Sequence, residues 1–270
     1  MTPHITASIV LYRNSPDDIL KLISSLKEAS VKILLIDNSP LPELKDTCFN
    51  ASSTEYIHTK KNIGYGAGHN IAIKKYLYRS KYHIVLNPDI QINPDSIRDI
   101  FNFMEENSDI GLVMPKIIYP DGSLQYLCKL LPEPQDLIFR RFMPFSSFTR
   151  RRNQLYELQF TGYHQLMDVP YLSGCFMFFR NAVLQRVGLF DERYFMYLED
   201  VDLSRRIHFA SRTVFFPDVS VIHRFEKGSY KHIKLLLYHI KSAIHYFNKW
   251  GWFVDKERDI TNNNALKNYL

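Results

Sequence analysis

Short apolar runs rich in β-branched residues recur along the first third of the chain, at Ile5–Tyr12, Val31–Asp37, Glu55–Thr59 and Tyr82–Leu86. Each is followed by polar or turn residues, the pattern of strands buried on both faces. Between the first two runs, Ile19, Leu22, Ile23 and Leu26 fall on one face of a helix. Its start is marked by Ser15 as N-cap, Pro16 at the first position, and Asp17 and Asp18 in the first turn. A second such helix is expected after Asn93-Pro94, with Ile97, Ile100, Phe101 and Met104 as its stripe. Strands alternating with helices predict a doubly wound, mostly parallel α/β sheet. Ligands of such sheets bind beyond the carboxyl ends of the strands.

The residues after each run are therefore the ones to inspect. They are Tyr12-Arg13-Asn14, then Asp37-Asn38-Ser39, then Lys60-Lys61-Asn62 with the stretch Gly64-Tyr65-Gly66-Ala67-Gly68-His69-Asn70, then Asn87-Pro88-Asp89. Three glycines before a helix suit either a tight turn or contact of a phosphate or ribose with the helix N-terminus. Their spacing is neither that of a P-loop nor that of the dinucleotide fingerprint. Asp89, ending a buried strand and held by Pro88, suits a hard divalent cation that shares its other sites with water and phosphate; a turn aspartate would look the same.

In the second half, Tyr171–Arg180 reads as one buried strand, entered by a small-residue turn at Ser173-Gly174. The segment VGLFDERYFMYLEDVDLSRR, residues 187–206, gathers Glu199, Asp200 and Asp202 behind four aromatics. In a helix starting near Glu199, positions 199 and 202 share a face with Arg205 or Arg206, so ion pairing accounts for the acids as well as a general base beside a sugar-stacking surface does. His223 falls at the end of a further strand in SVIHRFEKGS, residues 220–229.

Composition narrows the class. With 270 residues, 46% hydrophobic and 23% charged, the chain is globular, and disorder, collagen and coiled coil are excluded as whole-chain descriptions. Cys48, Cys128 and Cys175 are too few and scattered for a disulfide framework or a thiolate zinc site, which favours a reducing cytoplasm. No signal peptide is expected, and no apolar run approaches the ~20 residues that span a bilayer. The net charge of +6 is divided unevenly: residues 1–128 carry 13 Lys and Arg against 14 Asp and Glu, residues 129–270 carry 21 against 14. A basic second half admits nucleic acid, an anionic membrane, a phosphorylated substrate or plain surface charge. Two features belong to it. Ser229–Trp250 patterns as a helix with Ile233, Leu236, Leu237, Ile240, Ile244 and Phe247 on one face, and Lys231, Lys234, Lys241, His245 and Lys249 largely on the other. That suits either an interfacial helix or one packing its apolar face on the domain. Leu131–Gln159, with Arg140-Arg141 and Arg150-Arg151-Arg152, is expected as a mobile loop.

Five stretches join these pieces: LLIDNS at 34–39, NIGYGAGHN at 62–70, LNPD at 86–89, LSGCFMFFR at 172–180, and the 187–206 segment. In this order they resemble the family 2 glycosyltransferases of GT-A fold, particularly bacterial rhamnosyltransferases that build surface polysaccharides such as O-antigen. The resemblance covers roughly residues 5–225 and implies a catalytic domain at 1–228, with a donor-nucleotide half to 128 and an acceptor half beyond it, followed by a helical extension at 229–270. It implies Asp200 as catalytic base. Asp37 would hydrogen-bond a pyrimidine, with Tyr12 and Asn14 lining its pocket, and Asn62, Gly64, His69, Asn70 and Asn87 would lie along the donor. Ser173, Gly174, Glu199 and Asp202 would support the acceptor side. Asp89 and His223 would hold Mg²⁺ or Mn²⁺, the usual first aspartate of a D-x-D pair being replaced by Asn87.

One base and no separate nucleophile imply a single displacement with inversion, from a donor such as dTDP-β-L-rhamnose. The implied partners are a nucleotide sugar, a polyprenyl-diphosphate-linked glycan and the anionic cytoplasmic face of the inner membrane, which the protein would meet peripherally; no nucleic acid is expected. A UDP-hexose donor would suit the same fold. A nucleotidyltransferase would show a Gly- and Arg-rich loop with a Lys after Tyr12, which this sequence lacks, and a binding module would not require Asp89, Asp200 and His223 together.

Overall fold

The computed structural model describes residues 4–14, 16–42, 53–142, 147–224 and 233–269, leaving aside the side chains at 18, 139–142 and 148. Ser15, Cys48, Ser229, Lys231 and the side chains of Arg140 and Arg141 lie outside the described residues. The expected strands form as β1 (Ile5–Leu11), β2 (Lys32–Asp37), β3 (Thr54–His58) and β4 (Tyr82–Leu86), all mutually parallel where they pair. Among the described residues a nine-stranded sheet has the order β3-β2-β1-β4-β10-β6-β11-β5, where β5 is Ile90–Gln91, β6 Ile110–Ile118, β10 Phe176–Arg180 and β11 Arg212–His223. Strand β8 (Met167–Asp168) pairs with β11 off this path. Strand β10 runs against both β4 and β6, whereas β6 and β11 are parallel.

Helices cover both faces. Alternation along β1 decides which: Ala7, Ile9 and Leu11 join the core of α1 (Pro16–Glu28) and α3 (Pro94–Glu106), while Val10 packs with Leu34, Ile36 and Ala72 on the other face, under α2 (Tyr65–Tyr76). Ile19, Leu22, Ile23 and Leu26 of α1 are all buried, each worth about 1.5–3 kcal/mol of transfer free energy. Helix α3 starts as its sequence requires, with Asn93 accepting from Asp95 N at 2.9 Å and Pro94 in the first turn.

Three expectations are corrected. The glycines do not all precede a helix: only Gly64 does, and Gly66 and Gly68 lie within α2. There a Cβ would stand 2.9 Å from Phe190 Cβ and 2.7 Å from a Val10 methyl, so these glycines let the helix close on its neighbours. Tyr171–Arg180 is not one strand. Its first two residues, β9 (Tyr171–Leu172), pair with β7 (Cys128–Lys129) in a separate sheet, and the turn at Ser173-Gly174-Cys175 passes the chain into β10 at the centre of the main sheet. Leu131–Gln159 holds two helices, α4 (Pro134–Phe142) and α5 (Ser147–Tyr156), rather than a loop. Arg152 ties them together, reaching Glu133 at 2.6 Å and Asp136 at 2.5 Å.

The second half adds α6 (Asn181–Val187), α7 (Glu199–His208), α8 (Ile233–Trp250) and α9 (Lys256–Lys267). Helix α8 lies against residues 194–198 through Tyr194–His245, Phe195–Tyr238 and Tyr197–His239 ring contacts and a Ser242 Oγ to Met196 O hydrogen bond of 2.8 Å. Its packed face is therefore mainly aromatic and polar; of the apolar face that the sequence offered, Phe247 is buried and Leu236 half-buried, while Ile233, Leu237, Ile240 and Ile244 stay exposed.

Candidate active site

Parallel strands deliver their carboxyl ends to one edge. β1, β2, β4 and β11 end there at Leu11, Asp37, Leu86 and His223, and β10, running the other way, begins there at Phe176. This brings Gly174 and Cys175 beside Asn87, whose backbone N donates to Cys175 O at 2.9 Å.

Asp89 and His223, 134 positions apart in sequence, meet at this edge with Asp89 Oδ1 3.4 Å from His223 Nε2. Asn87 Nδ2 lies 3.3 Å from the same nitrogen. Gln125 grips His223 at two points, its Oε1 3.0 Å from Nδ1 and its Nε2 donating to the backbone carbonyl at 2.7 Å. A carboxamide on Nδ1 fixes the ring and turns Nε2 toward Asp89, the outer support that metal-binding histidines have. Burial disfavours a charged imidazole here, yet hydrogen bonds to Asp89 and Cys175 outweigh it and push the His223 pKa up to about 10. A metal ion at this nitrogen would take the place of that proton. One carboxylate oxygen and one imidazole nitrogen fit a divalent cation that takes its remaining ligands from water and phosphate; among the described residues no group of three or more His, Cys, Asp or Glu is placed to hold a metal by itself.

Asp200 sits in the first turn of α7. Tyr197 and Leu198, just before it, both hold positive φ, 70° and 61°, a local cost of order 1–3 kcal/mol each that redirects the chain into the helix. Asp200 Oδ2 accepts from Gly174 N at 2.8 Å and from the Tyr171 hydroxyl at 3.2 Å, and Oδ1 accepts from Val201 N at 2.9 Å. Burial raises its pKa, while the Gly174 N–H, Lys129, the Val201 N–H and Tyr171 pull it back. Glu199 is buried, with Oε2 unpartnered among the described residues. Burial and then the neighbouring Asp200 push it well above the carboxylate range. Asp202 faces away into α8: it binds Arg206 Nε at 2.9 Å, Lys249 Nζ at 2.6 Å and Trp250 Nε1 at 2.8 Å. It holds α7 and α8 together. Arg205 shares no pair with these acids and instead binds Asp255.

At the β2 end, Asp37 accepts from the Tyr56 hydroxyl and from Ser39 N, the latter at 2.8 Å. Tyr12 is exposed, its backbone N donating to Asn14 Oδ1 at 2.8 Å. Asn62 accepts from Gly64 N at 3.0 Å, and Gly64 has φ 97° with Phe195 O only 2.5 Å from where a Cβ would stand. Half-buried Ser173 precedes Gly174. His69 and Asn70 do not share this ground. Both are fully buried, His69 Nδ1 lying 2.6 Å from Ser8 Oγ, and Asn70 exchanging hydrogen bonds with the Phe190 backbone. Their side chains serve packing of α2, because the helical period turns 69 and 70 inward.

Four residues passed over in the sequence belong with the site. The Tyr65 hydroxyl lies between Asn87 Oδ1, at 2.9 Å, and Gly174 O, at 2.7 Å, so one phenol links the two sides. Tyr171 holds Asp200, Lys129 stands 5.3 Å from the Tyr171 ring centre, and Gln125 holds His223. Tyr65 and Tyr171 stood inside or beside the motifs, whereas Gln125 and Lys129 carried no local signal.

The sequence pattern of glycosyl transferase family 2 matches residues 8–188, about two thirds of the chain, a span that holds Asp37, Asn87, Asp89 and Gly174 and ends before Asp200 and His223. The chain belongs to glycosyl transferase family 2. This family 2 chain is 28% identical over 242 residues, 83% of its length and 76% of the relative's, to an N-acetylglucosaminyl-diphospho-decaprenol L-rhamnosyltransferase of Mycobacterium tuberculosis. It is 27% identical over 250 residues, 88% and 90% of the two lengths, to rhamnosyltransferase WbbL of Escherichia coli K12. To the low-salt glycan biosynthesis hexosyltransferase Agl10 of Haloferax volcanii it is 26% identical over 208 residues, 76% of this chain but only 62% of that relative's length. Among solved structures, GalNAc-T7 with UDP, GalNAc and Mn²⁺ superposes with a TM-score of 0.64 at 14% identity, covering 91% of this chain and 48% of the other. That likeness establishes the GT-A architecture of the family 2 chain.

Proposed function

We propose that this chain is an inverting, metal-dependent glycosyltransferase that moves L-rhamnose from dTDP-β-L-rhamnose to a hydroxyl of a polyprenyl-diphosphate-linked glycan in surface polysaccharide synthesis, at the cytoplasmic face of the inner membrane. Residues 1–228 form the catalytic domain in this reading and 229–270 its helical extension. The observation that carries it is the placement of two separate acids on one sheet edge: Asp89 paired with His223, and Asp200 held by Gly174 and Tyr171. The names of the mycobacterial and enterobacterial relatives support rhamnose and a lipid carrier.

Asp89 and His223 would hold the cation, Mg²⁺ or Mn²⁺. When bound, it neutralises the charge that develops on the leaving diphosphate. Asp37, Tyr12, Asn14, Asn62, Gly64 and Asn87 form the donor side. Asp200 accepts the proton of the acceptor hydroxyl as its oxygen bonds to the anomeric carbon and the carbon–diphosphate bond breaks, a contribution of about 10²–10⁴ in rate. Burial and the neighbouring Asp200 favour the neutral form of Glu199, and Ser173 with Gly174 borders the acceptor approach.

Release of dTDP from dTDP-rhamnose, measured beside UDP- and GDP-sugar controls, tests the reading. Asp200→Asn is expected to lose transfer while nucleotide binding persists, and chelation to abolish activity. Turnover retained in Asp200→Asn overturns the base, full activity after chelation removes the metal role, and preference for a UDP-hexose replaces the donor.

A further inference from the structure

We propose that the outward face of α8 is a lipid-docking surface whose occupant is a bilayer with anionic headgroups. The proposal deepens the reading of a lipid-borne acceptor and rests on it for its purpose, though the surface is argued from the helix alone. Ile233, Leu237, Ile240 and Ile244 are 69%, 59%, 44% and 46% exposed. Their spacing of four, three and four places them on one narrow stripe about 16 Å long. The helix cannot roll this stripe inward, because its other side is fixed to residues 194–198 by Tyr238, His239, Ser242 and His245. At the end of α8, Trp252 lies on Phe247 at 5.2 Å between ring centres, and the exposed Phe253 and Val254 follow it.

Charge decides the occupant. Residues 233–250 contain Lys234, Lys241 and Lys249 and no Asp or Glu. Lys249 is engaged by Asp191 and Asp202, but Lys234 and Lys241 are exposed and stand roughly 70–90° around the helix from the stripe. There their stems run up to headgroup level while the aliphatic residues enter the acyl boundary. Self-association through the same face would set these lysines against those of a second copy, whereas anionic lipid turns them into attraction. Among the described residues no helix is long and apolar enough to cross a membrane, so α8 would lie in the interface. Its inner face holds the segment leading into Asp200, so docking sets the base at a fixed height above the lipid.

Co-sedimentation of the full chain with phosphatidylcholine vesicles, with and without about one third phosphatidylglycerol, tests this. The wild type is expected to sediment with the anionic vesicles, with a blue shift of tryptophan emission, and Leu237→Glu/Ile240→Glu to bind at least about tenfold less. Lys234→Gln/Lys241→Gln is expected to lose the preference for anionic lipid. Nucleotide binding by the variants verifies their fold. Wild-type protein remaining in the supernatant, equal sedimentation of the Glu variant, or a wild-type dimer that the Glu variant converts to monomer overturns the proposal. Loss of the rhamnosyl reading alone would leave sedimentation unchanged, so the two failures are distinguishable.

Discussion

The backbone N–H of Gly174 donates to Asp200 Oδ2 at 2.8 Å, and a methyl group on Gly174 would stand 3.1 Å from Asp200 Cβ. The turn and the acid are thus in direct contact, and the carboxylate is placed by a residue 26 positions earlier in the chain.

Gly174→Ala is expected to displace that carboxylate by a few tenths of an ångström. Turnover should fall about tenfold to a hundredfold, while nucleotide affinity changes much less, because the added methyl meets Asp200 and not the residues proposed for the donor. Steady-state kinetics beside nucleotide titration checks the split; a matching loss of dTDP affinity would mean that the whole edge had moved.

Tyr171→Phe removes a hydrogen bond that favours ionised Asp200. The Asp200 pKa then rises, and a base must be ionised to work. The acidic limb of the rate profile is expected to move to higher pH, with the alkaline plateau little changed. An unmoved limb would place the ionisation elsewhere.

His69 and His83 are buried on either side of the Ser8 hydroxyl, at 2.6 and 2.8 Å. Burial holds both below the usual imidazole range, His83 at about 3. Because the unfolded chain binds these protons first, stability is fully present above about pH 6.5 and lost as pH falls below it, by up to about 1.4 kcal/mol per pH unit for each ring. His223, with its raised pKa, works the other way: its gain is complete only well below pH 6.5 and shrinks as pH rises, so it offsets part of this loss as pH falls from 7 to 5. Urea unfolding between pH 7 and 5 measures the effect, and His83→Gln should flatten it.

Arg205 is fully buried, bound to Asp255 at 2.6 and 2.7 Å and stacked 4.1 Å from the Trp250 ring centre. Asp255→Ala strands that guanidinium, and a loss of about 3–5 kcal/mol in denaturant unfolding is expected. A change below about 1 kcal/mol would show that Trp250 and the neighbouring Glu257 suffice.

The sequence by itself determined the strands β1 to β4, the helices α1 and α3, and the edge at which chemistry gathers, because hydrophobic period and cap residues are local and strand ends follow from them. It also offered Asp89, Asp200 and His223 as candidates, since the motifs around them are contiguous. Tertiary structure alone decided which candidates meet. The antiparallel entry of β10 sets Gly174 between Asn87 and Asp200, and Gln125 reaches His223 across 98 positions; no local pattern encodes such pairs. Packing also withdrew His69, Asn70 and Asp202 into the interior, since a polar residue at a helical position reads alike whether its partner is solvent or a buried neighbour. For α8 the period announced an amphipathic helix, but only the neighbouring rings fixed which face turned inward.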